Sequence, residues 1–143
     1  PITDNRMTRF MISLDEGVKL VWKAFEDMCG GEIYVKKIPS MKVTDIAKAI
    51  APNAKLQNIG IRPGEKLHEQ MVGIEDASYT FEYDDYYKIL PAIHSANGDS
   101  NRIKNGQKVD EAFLYTSDNN KDWMDKESLA EWIQENINSI GKI

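Results

Sequence analysis

The stretch from Ser13 to Cys29 constrains this chain more than any other. Leu14, Val18, Val21, Trp22, Phe25 and Met28 recur at helical spacing and make one apolar stripe. Ser13 is placed to cap the helix, and Glu16, three residues on, completes a capping box. Gly30-Gly31 ends it, because glycine accepts the left-handed turn at a helix C-terminus. A second stripe, Leu129, Trp132, Ile133, Asn136, Ile137 and Ile140, predicts a final helix from Asp125 to Ile140, with Gly141 following. Trp22 and Trp132 lie on these stripes and are expected in the core.

Between the two helices the pattern alternates. Glu32 to Lys36 reads as a strand and Pro39-Ser40 as a turn. Thr44 is placed to cap a short helix with Ile46, Ala47 and Ile50 inward, stopped by Pro52 and Asn53. Lys55 to Ile61 is a second strand candidate. Arg62-Pro63-Gly64 is a sharp turn leading into a short helix, Glu65 to Met71. Tyr79 to Tyr83 and Tyr86 to Leu90 are expected to pair around Asp84-Asp85. His94 to Asp110 is polar, rich in Asn, Gly and Ser, and reads as a long loop; Ala112 to Ser117 is another short strand. The result is a mixed α/β chain. No strand leads into a G-x-G-x-x-G turn, so the sequence carries no complete nucleotide-binding Rossmann unit.

A chain of 143 residues, 41% hydrophobic, is long enough for one domain with a core. Its net charge of -5 argues against nucleic acid, which calls for a clustered basic surface. No apolar run approaches the ~20 residues of a membrane span. Pro1 to Arg6 has no signal-peptide pattern, and Cys29 is the single cysteine, so no internal disulfide forms. These features point to a cytoplasmic protein without nucleic-acid or membrane partners. The chain begins with Pro1 and not Met, and is expected to be a piece of a longer polypeptide.

The densest group of chemically useful residues is Ile61 to Glu69. Arg62 offers a planar fork that matches phosphate oxygens in pairs. Pro63-Gly64 turns the chain tightly. Glu65 at a helix start suits the helix dipole and can accept hydroxyl hydrogen bonds. Lys66 adds positive charge, and His68 and Glu69 lie further round. Two readings stand on chemistry alone: a grip for an anionic ligand, or a solvated turn. Arg6 and Arg9, three apart, can face one anion or be solvated charges. Cys29 reads as a packed thiol. His68 and His94 are far apart, and no spacing suggests a metal site. Glu75-Asp76 and Asp84-Asp85 read as solvated acids. Tyr83, Tyr86 and Tyr87 either stack on a ligand ring or cover a strand. The Tyr-x-x-x-Lys pair of hydride chemistry and a G-x-S-x-G elbow are both missing.

Several segments resemble one family in order and spacing. Pro1 to Ile12, Lys37-Ile38-Pro39-Ser40-Met41-Lys42-Val43-Thr44-Asp45, Ile59 to Glu69, and Tyr115-Thr116-Ser117-Asp118-Asn119-Asn120 before a final helix are similar to the UDP-N-acetylglucosamine 4,6-dehydratases, inverting type. These are extended short-chain dehydrogenase/reductases that begin pseudaminic acid synthesis for flagellin glycosylation. The resemblance spans nearly the whole chain. It implies an α/β fold: the C-terminal substrate-binding portion of such an enzyme, a small mixed sheet with helices. Residues 1–93 would be the UDP-sugar-binding region, and 94–143 a loop, strand and helix packing on it.

The resemblance also implies roles. Thr3, Arg62 and Glu65 match substrate-contacting positions, with Arg62 on the diphosphate and Glu65 on hydroxyls of UDP-N-acetylglucosamine. The family's NADP loop and its catalytic Tyr, Lys and Asp would precede residue 1, so this chain holds no catalytic or cofactor residue. Implied partners are that N-terminal Rossmann portion and further copies of the chain. Self-association is expected through apolar surface near Phe10, Met11 and Ile12. Alternatives are a non-catalytic oligomerisation or interaction module, or a related UDP-sugar epimerase or retaining dehydratase of capsule synthesis. The expected outcome for the purified chain is that it neither binds NADP nor turns over UDP-N-acetylglucosamine; turnover by the pure chain refutes this.

Overall fold

The computed structural model describes residues 1–95 and 99–137, with His94 and Ser95 described by their backbone alone. In chain order the elements are β1 (Thr8–Phe10), α1 (Leu14–Asp27), β2 (Ile33–Lys36), β3 (Ser40–Lys42), α2 (Val43–Ile50), β4 (Gln70–Val72) and α3 (Ile74–Ala77). There follow β5 (Thr80–Glu82), β6 (Tyr86–Ile89), α4 (Ala92–Ser95), α5 (Ser100–Ile103), β7 (Gln107–Lys108), β8 (Tyr115–Thr116) and α6 (Lys126–Glu135). This is the small mixed α/β architecture read from the sequence. The chain forms two compact units, each assembled from segments distant in sequence.

The first unit takes Pro1–Ser13, Ile38–Glu69 and the described residues from Thr116 on. β1 and β3 pair antiparallel, Arg9 opposite Met41 and Phe10 opposite Ser40. Ser40 is therefore a strand residue and not a turn. Its amide donates to Asp122 O at 2.9 Å, its carbonyl accepts from Met124 N at 2.8 Å, and it is fully buried. β3 runs straight into α2. Lys42 is the extended N-cap, with no side-chain cap bond. Val43 N donates to Met7 O at 3.0 Å, which holds that junction, so the helix starts before Thr44 and the expected Thr44 cap does not form. α2 packs on α6, and Leu129 of α6 is fully buried there. Asp125 caps α6, accepting from the Ser128 amide and hydroxyl at 2.8 Å each. Trp132 is half-buried, whereas Ile50 of α2 faces out. Ile140 and Gly141 lie outside the described residues.

The strand expected over 55–61 is not formed. Residues 51–64 are all exposed, and pairing is limited to one parallel bridge between Ile2 and Asn58. A segment with no second surface to pack against gains too little burial to propagate a ladder.

The second unit takes Leu14–Lys37 and Gln70–Tyr115. Its four-stranded sheet has the order β2-β6-β5-β7, and the pairings are antiparallel. The expected hairpin is present, Tyr83 N donating to Tyr86 O at 3.0 Å across its turn. Tyr83 and Tyr86 stack on each other with centroids 4.5 Å apart, and Tyr34 stacks on Tyr86 at 5.7 Å. Tyr86 and Tyr87 are buried, and burial first of all pushes both phenols up to about 12. These rings are core, not a platform for a ligand.

Two basic side chains are buried in this unit. Lys88, 1% exposed, pairs with Asp27, donates to Arg102 O at 2.7 Å and lies 5.0 Å from the Tyr83 ring centroid. Arg102 binds Glu32, Asp99 at 3.0 Å and Gly30 O at 2.7 Å. The stretch from His94 to Asp110 is consequently not one loop: its described part contains the end of α4, then α5 and β7. The order comes from Arg102, whose charge must be met by distant partners, a constraint that a polar composition conceals.

α1 spans the expected residues and ends ahead of Gly30 and Gly31, both at positive φ. Its orientation is opposite to expectation. Trp22 is 64% exposed, and Leu14, Val18, Val21, Phe25 and Met28 are exposed with it. The half-buried face is Gly17, Leu20, Lys23, Ala24 and Asp27. Lys23 binds Asp85 at 2.9 Å and lies 4.4 Å from the Tyr86 ring centroid. Asp27 accepts from the Tyr34 hydroxyl at 2.7 Å and pairs with Lys88 and Lys104. Polar contacts thus set which face turns inward.

Burial opposes ionisation of Asp27, but hydrogen bonds from Lys104, Lys88 and Tyr34 outweigh it and hold the carboxyl well below the usual range. A depressed carboxylate contributes stability above its unfolded pKa of about 3.9 that is lost as pH falls through the folded value. Asp27→Ala strands the buried Lys88 ammonium. It is expected to lower unfolding free energy at pH 7 by about 3–5 kcal/mol in urea titrations, and to flatten the acid limb of thermal melts below pH 4.

Candidate functional site

The three residues selected from the sequence, Thr3, Arg62 and Glu65, come together in the first unit. Arg62-Pro63-Gly64-Glu65 is a tight turn, with Glu65 N donating to Arg62 O at 3.0 Å. Proline at its second position and Gly64 at φ +80 are what a type II turn requires. The Glu65 carboxylate then folds back. One oxygen accepts from the Arg62 amide at 3.2 Å. The other accepts from the Thr3 hydroxyl at 3.5 Å and lies 3.6 Å from Arg9 Nη2.

No helix follows this turn, which corrects the expectation for Glu65 to Met71. The backbone groups that a helix would use are taken by other segments. Leu67 O accepts from Thr8 N and Arg9 Nη1, both at 3.2 Å. Glu69 N donates to Ser117 Oγ at 2.9 Å, and Glu69 O accepts from Ser117 N at 2.8 Å. Glu65 therefore owes its position to the turn and not to a helix dipole.

The three arginines have different fates. Arg6 is exposed and bound to Asp4 at 2.8 Å. Hydrogen bonds from Arg6 hold the Asp4 carboxyl down at about 2. Arg9 is tied to Glu65, to Glu69 at 3.9 Å, and to the carbonyls of Thr8 and Leu67. Arg6 and Arg9 thus have separate carboxylates and do not face one anion. Arg62 is exposed, and among the described residues its guanidinium makes no ion pair. It is the fork left available for an added anion, with exposed Lys66 nearby in sequence.

Behind the turn lies a hydroxyl relay that the sequence reading did not identify. Thr8 Oγ1 is 2.7 Å from His68 Nδ1 and 2.6 Å from Ser117 Oγ. Ser117 Oγ already accepts from Glu69 N. Every hydrogen finds an acceptor if Ser117 donates to Thr8 and Thr8 to Nδ1. The His68 proton then sits on Nε2, 4.0 Å from Asp118. A hydrogen bond from Thr116 holds the Asp118 carboxyl below its usual range. Thr8 and Ser117 are buried at 3% and 0% exposure, so neither hydroxyl meets a substrate. Their role is to hold the segment that carries Glu65 to Glu69. The only sequence signal for this was the presence of all three residues in the segments that carry the family resemblance.

The remaining candidates do not join the site. Cys29 is exposed and not packed, and the His94 side chain lies outside the described residues. Among the described residues no group of three or more His, Cys, Asp or Glu is placed to hold a metal ion. No helix there is long and apolar enough to cross a membrane.

Residues 1–91 match the family model described as polysaccharide biosynthesis protein, and the chain belongs to that family. Among its relatives is a protein named UDP-N-acetylglucosamine 4,6-dehydratase (inverting), from Campylobacter jejuni subsp. jejuni serotype O:2. The two are 51% identical over 138 residues, covering 93% of this chain and 41% of the relative. A UDP-glucose 4-epimerase of Rickettsia canadensis is 36% identical over 124 residues, covering 84% of this chain and 36% of that protein. The X-ray structure of Pen from Bacillus thuringiensis superimposes with a TM-score of 0.77 at 26% identity, over 94% of this chain and 39% of that one. The chain thus spans about two fifths of the length of the proteins it matches.

Thr8→Val keeps the shape of residue 8 and removes the hydroxyl that joins His68 to Ser117. Unfolding free energy is expected to fall by about 1–3 kcal/mol in denaturant titrations. Arg6→Ala, which removes an exposed ion pair, should leave the midpoint unchanged.

Proposed function

We propose that this chain is the UDP-sugar-holding part of a UDP-N-acetylglucosamine 4,6-dehydratase of the C5-inverting type, a cytoplasmic lyase that supplies nucleotide sugars for pseudaminic acid, flagellin glycosylation and surface-glycan synthesis. The observation that carries this reading is Arg62, whose guanidinium is exposed while its amide, with Thr3 and Arg9, fixes the Glu65 carboxylate. The Arg62 fork takes the diphosphate. Glu65 accepts hydroxyl hydrogen bonds from ribose or sugar, and Thr3 completes the rim. Glu65 keeps its carboxylate aimed because three donors surround it, so little side-chain freedom is lost when ligand arrives.

NADP, which dehydratases of this family use, does not fit the described residues. A dinucleotide's diphosphate needs a glycine-rich turn from a strand into a helix N-terminus. Here the glycine pair Gly30-Gly31 follows a helix C-terminus, and β3 enters α2 without a glycine. Cofactor and proton-transfer groups are therefore assigned to a Rossmann portion outside this chain, and no step is routed through them here. Sequence similarity supports dehydration over epimerisation, 51% against 36% identity. Epimerase chemistry is the second reading, which NMR of the product made by the full-length enzyme distinguishes.

Titration calorimetry with UDP and with UDP-N-acetylglucosamine tests the assignment. Arg62→Ala is expected to weaken both ligands by about 1.5–3 kcal/mol, the loss of a charge-assisted phosphate contact. Glu65→Gln should weaken binding with Arg62 intact. Affinity unchanged by Arg62→Ala overturns the reading.

A further inference from the structure

Histidine is the side chain that changes charge near neutral pH, and His68 is the one member of the relay that can do so. It sits between two anchored residues. Leu67 O accepts from Thr8 N and Arg9 Nη1. Glu69 is bound to Ser117 through its amide and its carbonyl. The ring therefore cannot leave Thr8 without pulling on the segment that carries Glu65.

The two ring nitrogens face different partners. Nδ1 lies 2.7 Å from the Thr8 hydroxyl and, in the neutral ring, accepts its hydrogen. Nε2 looks toward Asp118, 4.0 Å away, too far for a hydrogen bond and near enough to attract a charged ring. Asp4 is a second carboxylate within reach of the ring's charge, although Arg6 already holds it at 2.8 Å. Arg9, from β1, is turned to Glu65, Glu69 and the Leu67 carbonyl. A protonated ring is a donor at both nitrogens. Nδ1–H then points at Thr8, whose hydrogen must turn to Ser117 Oγ. Ser117 Oγ already accepts from Glu69 N at 2.9 Å, and its own hydrogen loses the acceptor it had. A buried hydroxyl without an acceptor is costly, so the relay gives way between Ser117 and Glu69. The neutral ring thus favours Thr8 and the ordered segment, and the charged ring favours Asp118. The side chain is 30% exposed, which gives the proton access. We propose that His68 is a positioning residue that makes the UDP-sugar grip pH-dependent: neutral His68 locks residues 65–69 for binding, and protonation releases them. This inference rests on the UDP-sugar reading of Arg62 and Glu65.

Calorimetry of the full chain with UDP-N-acetylglucosamine between about pH 7.5 and 5.5 tests this. The sugar nucleotide is the right probe because its diphosphate, esterified at both ends, has no proton to exchange there, whereas a terminal phosphate titrates at about 6. Affinity is expected to fall roughly fivefold on acidification. His68→Asn puts an amide oxygen in the place of Nδ1 and carries no titrating group. It should bind like the wild type at the upper pH and show no acid fall. An equal fall in both proteins, or none in the wild type, overturns the proposal. The relay also has a readout that needs no ligand. In NMR of the free protein the Glu69 amide resonance should move in step with the His68 ring resonances across the same range, and stay still in His68→Asn. A Glu69 amide that ignores the ring in the wild type overturns the proposal whatever the ligand does. Affinity unchanged by Arg62→Ala, with the Glu69 amide still following His68, overturns the UDP-sugar reading and upholds the pH-dependent relay.

Discussion

The candidate site rests on one buried hydroxyl. Thr8 Oγ1 touches a histidine 60 residues ahead and a serine 109 residues ahead. Buried polar atoms left unpaired are expensive, so the three segments that carry them must arrive together. Once they do, the next residue follows. Arg9 is held by the Thr8 and Leu67 carbonyls, its guanidinium lies against Glu65 and Glu69, and the Glu69 carboxylate accepts from Phe10 N at 2.7 Å. Glu65 is thereby tied through Arg9 to the residues packed behind the turn. Presentation of Arg62 is the last consequence of a network that starts behind it.

The second unit uses charge where the first uses hydroxyls. Lys88 and Arg102 are buried and fully engaged, and Asp27 and Glu32 balance them. Buried ion pairs add little net stability over apolar replacements, but breaking one is costly. Their effect here is selection. Asp27 and Lys23 decide which face of α1 is inside, although hydrophobicity alone favours the opposite face. The apolar stripe is left outside as a consequence, and an exposed stripe is a surface with an unfilled role.

The family match covers residues 1–91, and Thr3, Thr8, Arg9, Arg62, Glu65 and His68 all lie within it. Ser117 lies beyond it and still closes the relay. The site is therefore built from the matched region with a C-terminal clasp, and a description confined to residues 1–91 would leave Thr8 and Glu69 N each short of a partner. Similarity to proteins named for two different reactions accords with the rule that a fold does not fix a chemistry.

Local chemistry was readable from the residues. Proline, then glycine, at 63 and 64 dictate a tight turn whatever surrounds it, and it formed. Glycines at 30 and 31 end α1, the final helix starts just after Asp125, and two tyrosine-rich runs pair as a hairpin. Thr3, Arg62 and Glu65 were chosen through resemblance and are found adjacent, yet the helix assigned after Glu65 is absent. Its backbone is claimed by Thr8, Arg9 and Ser117, which no local pattern announces. The sequence by itself determined the turn at Pro63-Gly64, the end of α1 and the tyrosine hairpin, because these depend on neighbours within a few residues. Tertiary structure alone decided which arginine stays available, which hydroxyls are buried and which face of α1 looks outward. Those outcomes follow from pairing buried polar groups across tens of residues, and periodicity does not record that.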